Sequence, residues 1–300
     1  MNSEITHNKD CITKVLAYNH IEVKGIEAVS GPSVTLYKLY LLLGNGAAVI
    51  RTLSEDLAVA LGVSGVRVVS LADCIGVEVP NHSRTIVPVK SLWESEAFQN
   101  SKADIPLAIG VSFDNQIKVI DLAKAKNILV AGAPGQGKTT FLKAVCECLS
   151  SHMEERNLRI IPNADENLDS LCKEFEERNA LFANTNTITC PRIIAIIDEF
   201  ANIAQSRATL KRFQTLAKKG PKVGIHLIVS TSIPSVDIIT SSIRALFPTR
   251  IAFRTISRID SMIILDIPGA EKLTGDGDML LLYKANIERL QGGLGGSYSK

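Results

Sequence analysis

Apolar and polar residues alternate with two different periods in the first third of the chain. Residues 33–40 alternate with a period of two, and the runs at 66–69 and 75–80 are rich in valine or isoleucine. These three segments are predicted strands. Apolar side chains recur at helical spacing within residues 49–61, and a short helix is predicted at 91–98. The pattern predicts a small unit of mixed helices and strands.

From about residue 105 the pattern changes to regular alternation of strands and helices. Short apolar runs predict strands at 128–132, 158–161, 192–197, 225–231 and 248–254. Helical periodicity predicts helices at 138–151, 165–181, 200–219 and 257–265. Such alternation is typical of an α/β domain with a mostly parallel, doubly wound sheet and helices on both faces. A ligand is then expected at the carboxyl ends of the strands.

These patterns divide the chain into four predicted segments. They are a flexible N-terminus over 1–19, a small α+β domain over 20–104, an α/β domain over 105–290 and a glycine-rich flexible tail over 291–300. No apolar stretch approaches the length of a membrane span, and the first ten residues lack the apolar core of a secretory signal. We therefore expect no membrane segment in this chain.

Composition narrows the class of protein. Hydrophobic residues make up 46% of the chain and charged residues 21%, which allows a substantial core. The net charge of +2 is too small to indicate nucleic-acid binding without local basic patches. The six cysteines include no C-x-x-C pair, which favours reduced thiols and a cytoplasmic location over a disulfide or metal framework.

One segment matches every fixed position of the phosphate-binding P-loop pattern G-x-x-x-x-G-K-[ST]. It consists of Gly132, Ala133, Pro134, Gly135, Gln136, Gly137, Lys138 and Thr139, and is followed by Thr140. A predicted strand precedes it and a predicted helix follows, so backbone N–H groups would face the phosphates. Lys138 would reach the β and γ phosphates, and Thr139 would bind Mg²⁺. ATP and Mg²⁺ are therefore the predicted cofactors.

The predicted strand at 192–197 ends in two acids, Asp198 and Glu199, which is a Walker B pattern. Asp198 would join Thr139 in holding Mg²⁺, and Glu199 would act as general base toward the attacking water. An ordinary acidic turn after a strand is the alternative, and the upstream P-loop favours Walker B. His226, in the next predicted strand, precedes the ligand edge and is interpreted as a packed histidine rather than a base.

The chain resembles the FtsK/SpoIIIE family of DNA translocases over roughly residues 24 to 293. Five of the segments that carry the resemblance are Val77-Glu78-Val79-Pro80-Asn81, Ile197-Asp198-Glu199-Phe200-Ala201, Pro234-Ser235-Val236-Asp237, Ile259-Asp260-Ser261 and Gly277-Asp278-Met279-Leu280. The resemblance implies a RecA-like P-loop NTPase that forms a hexameric ring around double-stranded DNA. ATP hydrolysis would then move DNA in chromosome partition, cell division or DNA transfer.

The same resemblance implies roles for further residues. RecA-like ATPases hold a polar sensor of the γ-phosphate at the end of the strand next to Walker B, where this chain has Thr231 and Ser232. Arg244, Arg254 and Arg258 are the candidate contacts to DNA phosphates. We expect that this chain contains the motor region alone, without the family's DNA-reading domain or membrane anchor.

Three departures from the family pattern favour an alternative. The segment after Ile161 is short, Ser232 stands where the family has glutamine, and Pro221 stands where it has an arginine that enters the neighbouring subunit's site. Lys219 or Lys222 would replace that arginine poorly, because lysine lacks its planar fork. The alternative is a hydrolysis-impaired nucleotide-binding ring or scaffold subunit. A P-loop kinase is disfavoured because no acceptor-binding motif is present.

Overall fold

The computed structural model of the chain describes residues 2–42, 46–151, 157–185 and 190–294. The chain forms two units, one of residues 1–86 with 111–116, the other of residues 87–110 with 117–300. The boundary therefore lies before residue 87 rather than at the predicted position between 104 and 105. The reason is that Val89 N donates to Leu294 O at 2.9 Å, and Leu294 N donates to Val87 O at 2.8 Å.

The first unit packs helices against a four-stranded sheet. Its elements are α1 (Asn2–Tyr18), β1 (Val23–Ser30), β2 (Val34–Leu41), α2 (Gly46–Thr52), α3 (Ser54–Leu61), β3 (Arg67–Ser70) and β4 (Ile75–Pro80). All neighbouring strands are antiparallel, in the order β1-β2-β4-β3. The helix predicted at 49–61 is two helices that meet at Leu53. Alternate residues of β2 and β4, such as Tyr37 and Val77, fill the core.

Helix α1 corrects the prediction of a flexible N-terminus over 1–19. Ile12 and Leu16 lie one turn apart on the same face of α1 and are fully buried in the core of the first unit. Asn8 Nδ2, also on α1, donates to the Tyr37 hydroxyl at 3.0 Å. A helix with so few apolar residues gains its stability from this tertiary packing. The polar composition of residues 1–19 gave no sign of that packing, which is why the sequence predicted a flexible segment.

Replacing Leu16 with alanine is expected to lower the free energy of unfolding of the first unit by about 2–5 kcal/mol. The Leu16 side chain is fully buried, so its truncation opens a cavity in the core. Urea denaturation followed by circular dichroism would measure the change. Tyr18→Ala is the matched control on the same helix, since the Tyr18 side chain is 86% exposed. Equal effects of the two substitutions would show that α1 is not packed on the core.

The second unit is built around a nine-stranded sheet. Its strands are β5 (Pro106–Ser112), β6 (Ile117–Asp121), β7 (Ile128–Ala131), β8 (Leu158–Ile161), β9 (Arg192–Ile197), β10 (Ile225–Thr231), β11 (Thr249–Phe253), β12 (Asp278–Tyr283) and β13 (Asn286–Gln291). Its helices are α4 (Val89–Trp93), α5 (Glu96–Gln99), α6 (Leu122–Ala125), α7 (Lys138–Ser150), α8 (Leu168–Thr185), α9 (Ala201–Ala204), α10 (Arg207–Lys219), α11 (Ser241–Leu246) and α12 (Arg258–Leu265). Two 3₁₀ turns lie at Gly220–Val223 and Ala270–Lys272.

The strand order is β6-β5-β13-β12-β11-β7-β10-β9-β8. Strands β11, β7, β10, β9 and β8 are parallel, and β12 is antiparallel to both of its neighbours, β11 and β13. Successive residues of β7 enter different clusters, Leu129 and Ala131 on one face and Ile128 and Val130 on the other. Both faces of the central sheet are therefore buried, which confirms the predicted fold class.

This unit differs from the prediction in several segments: β5, β6, β12 and β13 were not predicted as strands, and two further differences have a visible cause. The helix predicted at 200–219 is broken between α9 and α10, because Ser206 Oγ accepts from Thr209 N at 3.3 Å and caps a new helix. The predicted flexible tail at 291–300 begins in β13, and Gly292 N donates to Gly277 O at 2.8 Å. Residues 295–300 lie outside the described residues. In the parts of the chain that the structure describes, no helix has the length and apolarity to cross a membrane.

Candidate nucleotide-binding site

The P-loop connects β7 to α7 and contains three glycines with left-handed backbones. The φ angles are 153° at Gly132, 75° at Gly135 and 105° at Gly137. A Cβ atom at Gly132 would lie 2.8 Å from Phe253 Cβ, so this position has no space for a side chain. Glycine is thus required both for the conformation and for the close approach of β11.

Lys138 is held inside the loop at the first turn of α7. Its Nζ donates to Gly132 O and to Ala133 O, each at 2.9 Å, and only 6% of the residue is exposed. Burial lowers the pKa of Lys138, whereas the carboxylates of Glu199 and Asp198 act to raise it. The ammonium group is therefore held by the loop backbone, and the charges of the two acids that follow β9 act on its pKa.

Thr139 and Asp198 meet at the carboxyl edge of the sheet. Thr139 Oγ1 donates to Asp198 Oδ2 at 3.0 Å, and Ser230 Oγ donates to Asp198 Oδ1. The described residues contain no cluster of three or more His, Cys, Asp or Glu side chains that would bind a metal alone. One hydroxyl and one carboxylate are the hard oxygen donors that Mg²⁺ takes in nucleotide sites, where phosphates supply further ligands.

Glu199 turns away from β9 toward the end of β10. Its backbone is left-handed, with φ 69°, and its carboxylate accepts from Thr231 Oγ1 at 2.8 Å and from Ser232 N at 3.0 Å. Phe200 N then donates to Ser230 O at 2.7 Å, which ties the segment after β9 to β10. A carboxylate in this position can accept a proton from a water molecule near the phosphates.

The structure brings together five predicted site residues at the carboxyl edge of the sheet: Lys138 and Thr139 at the start of α7, Asp198 and Glu199 directly after β9, and Thr231 at the end of β10. The other predicted P-loop residues make local contacts. Ala133 N donates to Arg254 O at 2.8 Å, Gln136 Nε2 donates to Pro134 O at 3.4 Å, and Thr140 lies in the first turn of α7. The predicted sensors Thr231 and Ser232 both contact Glu199 by hydrogen bonds.

Ser230 is a site residue that the sequence analysis missed. Its hydroxyl donates to Asp198 and accepts from Glu199 N at 3.3 Å, so it orients both acids. The available signal was the polar run Ser-Thr-Ser at the end of an apolar strand. Which of these three hydroxyl residues faces Asp198 depends on the register of β10 against β9.

The three candidate DNA-contacting arginines are placed differently. Arg244 Nη1, in α11, donates to Asp266 Oδ1 at 2.6 Å, and Arg250 also pairs with Asp266. Arg254 has an exposed side chain, and its carbonyl contacts the P-loop as described above. Arg258 is exposed in the first turn of α12.

The structure describes two of the segments that depart from the family pattern, the short connection after Ile161 and the region around Pro221. After Ile161, Ala164 N donates to Ile196 O at 2.8 Å, so the short connection still closes against β9. Lys219 ends α10, and Pro221 and Lys222 lie in the following 3₁₀ turn, where both lysines are exposed.

His226 lies in the buried first half of β10, away from the ligand edge. Its Nδ1 is 2.8 Å from Lys126 O, and burial lowers its pKa from the ordinary 6.5 although this hydrogen bond opposes the shift. Folding thus favours the neutral ring, and stability is expected to fall as the pH drops below about 6.5, where the unfolded chain binds the proton first.

His226→Asn retains a hydrogen-bond donor but has no titrating group. The variant is expected to lose less stability than the wild type between pH about 7 and about 5.5. Urea denaturation at several pH values would measure this difference. Parallel pH profiles would show that another group causes the acid sensitivity.

Comparisons with known proteins agree with this geometry. The family model described as "FtsK alpha domain" matches residues 1–81, and "FtsK/SpoIIIE family" matches residues 88–152. The model "ATPase family associated with various cellular activities (AAA)" matches residues 128–255, which include the P-loop and both acids after β9.

Three curated relatives align along almost the whole chain. DNA translocase FtsK 2 of Neisseria meningitidis is 31% identical over 93% of this chain and 34% of its own length. DNA translocase SftA of Bacillus subtilis is 30% identical over 96% of this chain and 35% of its own length. DNA translocase FtsK of Clostridium acetobutylicum is 32% identical over 92% of this chain and 42% of its own length. The chain therefore spans between a third and a little over two fifths of the length of these relatives.

Solved structures support the fold. The monomeric conjugation coupling protein TcpA of pCW3 with ATPgS has a TM-score of 0.62 at 18% identity, covering 96% of this chain and 95% of that chain. The type VII secretion ATPase EccC of Thermomonospora curvata has a TM-score of 0.54 at 18% identity, covering 71% of this chain and 31% of that chain. Together, the family models and the curated relatives show that the chain contains an FtsK alpha domain at residues 1–81 and an FtsK/SpoIIIE family domain at residues 88–152.

Proposed function

We propose that this chain is the motor part of an ATP-dependent double-stranded DNA translocase that acts in chromosome partition, cell division or DNA transfer. One observation carries the proposal: Lys138, Thr139, Asp198 and Glu199 converge at a single sheet edge. This edge occurs in a chain of which relatives named DNA translocases cover 92% to 96%.

The proposed reaction is hydrolysis of ATP at the P-loop. Mg²⁺ held by Thr139 and Asp198 would neutralise charge on the β and γ phosphates. Lys138 would move its hydrogen bonds from the loop carbonyls to phosphate oxygens. Glu199 would accept the proton of the attacking water, and Ser230 would keep the Asp198 carboxylate oriented toward Thr139.

The proposed DNA contacts are to phosphates, because a translocase holds the backbone without reading bases. The exposed side chains of Arg254 and Arg258 support this role. Arg244 would have to exchange its ion pair with Asp266 for a phosphate, which makes it the weakest of the three candidates.

We further propose a homo-oligomeric, hexameric ring in the cytoplasm, with any membrane association supplied by a partner. In such a ring the exposed Lys219 or Lys222 would bring positive charge to the neighbouring subunit's nucleotide. The second candidate function, a hydrolysis-impaired nucleotide-binding subunit, is favoured by Pro221 at the position of the family's arginine, since loss of that arginine can lower the rate by orders of magnitude.

The test is the steady-state ATPase rate with and without long double-stranded DNA, at low salt and high protein concentration. DNA-stimulated turnover is the expected result, because phosphate contacts would drive ring assembly. Tight binding of ATP without turnover at any DNA concentration would instead establish the nucleotide-binding subunit. If DNA stimulates turnover, comparing the ATPase rates of Lys222→Ala and of Lys211→Ala, on the preceding helix, would show whether Lys222 supplies positive charge to the neighbouring subunit's nucleotide.

A further inference from the structure

A second glycine-rich turn, Gly275–Gly277, lies directly against the P-loop. A Cβ atom at Gly275 would lie 2.7 Å from Gln136 Oε1, and a Cβ atom at Gly137 would lie 3.2 Å from Gly277 N. Gly275 and Gly277 have left-handed backbones, with φ 83° and 89°. The two loops thus approach closely at the point where the P-loop enters α7.

A buried ion pair fixes the end of this turn. Asp278 is fully buried and Arg289 is 4% exposed, with Arg289 Nε to Asp278 Oδ1 at 2.9 Å and Nη2 to Oδ2 at 2.6 Å. Thr274 N and Oγ1 each donate to Asp278 Oδ2 at 2.8 Å. Burial acts to raise the pKa of Asp278, but Arg289 and Thr274 hold that pKa below its ordinary value. The carboxylate therefore remains charged and anchors the turn to β13.

The other side of the turn is held by the end of β13. Gln291 Nε2 donates to Asp276 O at 2.8 Å, and Gly292 N donates to Gly277 O. A Cβ atom at Gly277 would lie 2.9 Å from Gln291 Nε2. The turn is consequently fixed from both strands of the β12–β13 hairpin and has little freedom to move away from the P-loop.

We propose that the Gly275–Gly277 turn positions the P-loop for nucleotide binding, with Gly277 and the Asp278–Arg289 pair as positioning residues. The inference rests on the nucleotide site proposed above. The P-loop depends on left-handed glycines that adopt many conformations when unsupported. A rigid neighbour at Gln136 and Gly137 limits those conformations, and so lowers the entropy lost when the loop N–H groups close on the phosphates.

Gly277→Ala is the first test. The substitution strains a left-handed backbone and directs a methyl group at Gln291, so the turn has to shift. Isothermal titration with Mg-ATPγS is expected to give a Kd about tenfold higher than the wild type. Gly224→Ala is the matched control, because Gly224 also has a left-handed backbone, with φ 76°, but precedes β10 at the end away from the nucleotide site. This variant should leave the Kd within about twofold of the wild type.

The outcomes separate this inference from the site itself. Wild-type affinity in Gly277→Ala, together with loss of binding in Lys138→Ala, would overturn the positioning role and leave the site intact. Wild-type affinity in Lys138→Ala would overturn the site, and the inference with it. Equal losses in Gly277→Ala and Gly224→Ala would show a general effect of strain and would also overturn the inference.

A second variant tests the contact directly and remains informative if Gly277→Ala does not fold. Gly275→Ala directs its methyl group at the flexible end of the Gln136 side chain and also strains the left-handed backbone. If the turn acts through this contact, Gly275→Ala should cost less affinity in a chain that already carries Gln136→Ala than in the wild type. Additive losses of affinity in the double variant would contradict the proposal.

Discussion

Lys138→Ala is expected to weaken nucleotide binding by at least about 100-fold. The variant loses the charged group that would form charge-assisted hydrogen bonds to two phosphates, and each tenfold in affinity corresponds to about 1.4 kcal/mol. The structure holds the ammonium group in place, since it donates hydrogen bonds to the carbonyls of Gly132 and Ala133. Little rotational entropy would therefore be lost when phosphate oxygens replace these carbonyls.

Titration with Mg-ATPγS would measure this effect. Lys143→Ala is the matched control, because Lys143 is an exposed lysine of the same helix α7. A retained affinity in Lys138→Ala would reject the P-loop as the nucleotide site. A loss of affinity in both variants would point to damage to the helix rather than to the phosphate contact.

Glu199→Ala is expected to retain nucleotide binding within about threefold while turnover falls by at least about 100-fold, the range for loss of a general base. The Glu199 carboxylate accepts hydrogen bonds from Thr231 and Ser232, which lie at and after the end of β10 rather than in the P-loop. Phosphate binding by the P-loop should therefore survive its removal. Single-turnover hydrolysis and a parallel binding titration would separate the two quantities.

Glu199→Gln is the isosteric companion of this variant, since glutamine can still accept from Thr231 and Ser232 but cannot take a proton at neutral pH. Both variants should be equally slow if Glu199 is the base. Undiminished hydrolysis in the glutamine variant would assign the carboxylate a structural role. Glu177→Ala, on the exposed side of α8, controls for the loss of one negative charge.

The parallel part of the second unit could be predicted because its strands are short, continuous apolar runs. Strands such as β9 and β10 begin and end at the predicted residues, 192–197 and 225–231. A strand buried on both faces needs apolar residues at every position, which leaves a signal that requires no knowledge of its neighbours. The P-loop could be predicted for a similar reason, since its glycines and lysine are local requirements.

The remaining features depend on contacts between distant residues. Helix α1 becomes stable only through Ile12 and Leu16 in the core. The role of Ser230 depends on strand register, and the contact between Gly137 and Gly277 joins segments 140 positions apart in the numbering of the chain. Local periodicity carries no information about such pairings. The sequence therefore predicted the P-loop but not the Gly275–Gly277 turn that lies against it.

The left-handed backbone of Glu199 has a consequence for how substitutions rank at this position. In most helices and strands alanine is more stable than glycine, because glycine has more conformational freedom to lose. At φ 69° the order should invert, since alanine keeps a steric strain of about 1 kcal/mol that glycine lacks. The need for a carboxylate, rather than the preference of the backbone, thus explains a glutamate at this position. The difference in unfolding free energy between Glu199→Gly and Glu199→Ala would measure the strain that the wild-type glutamate tolerates.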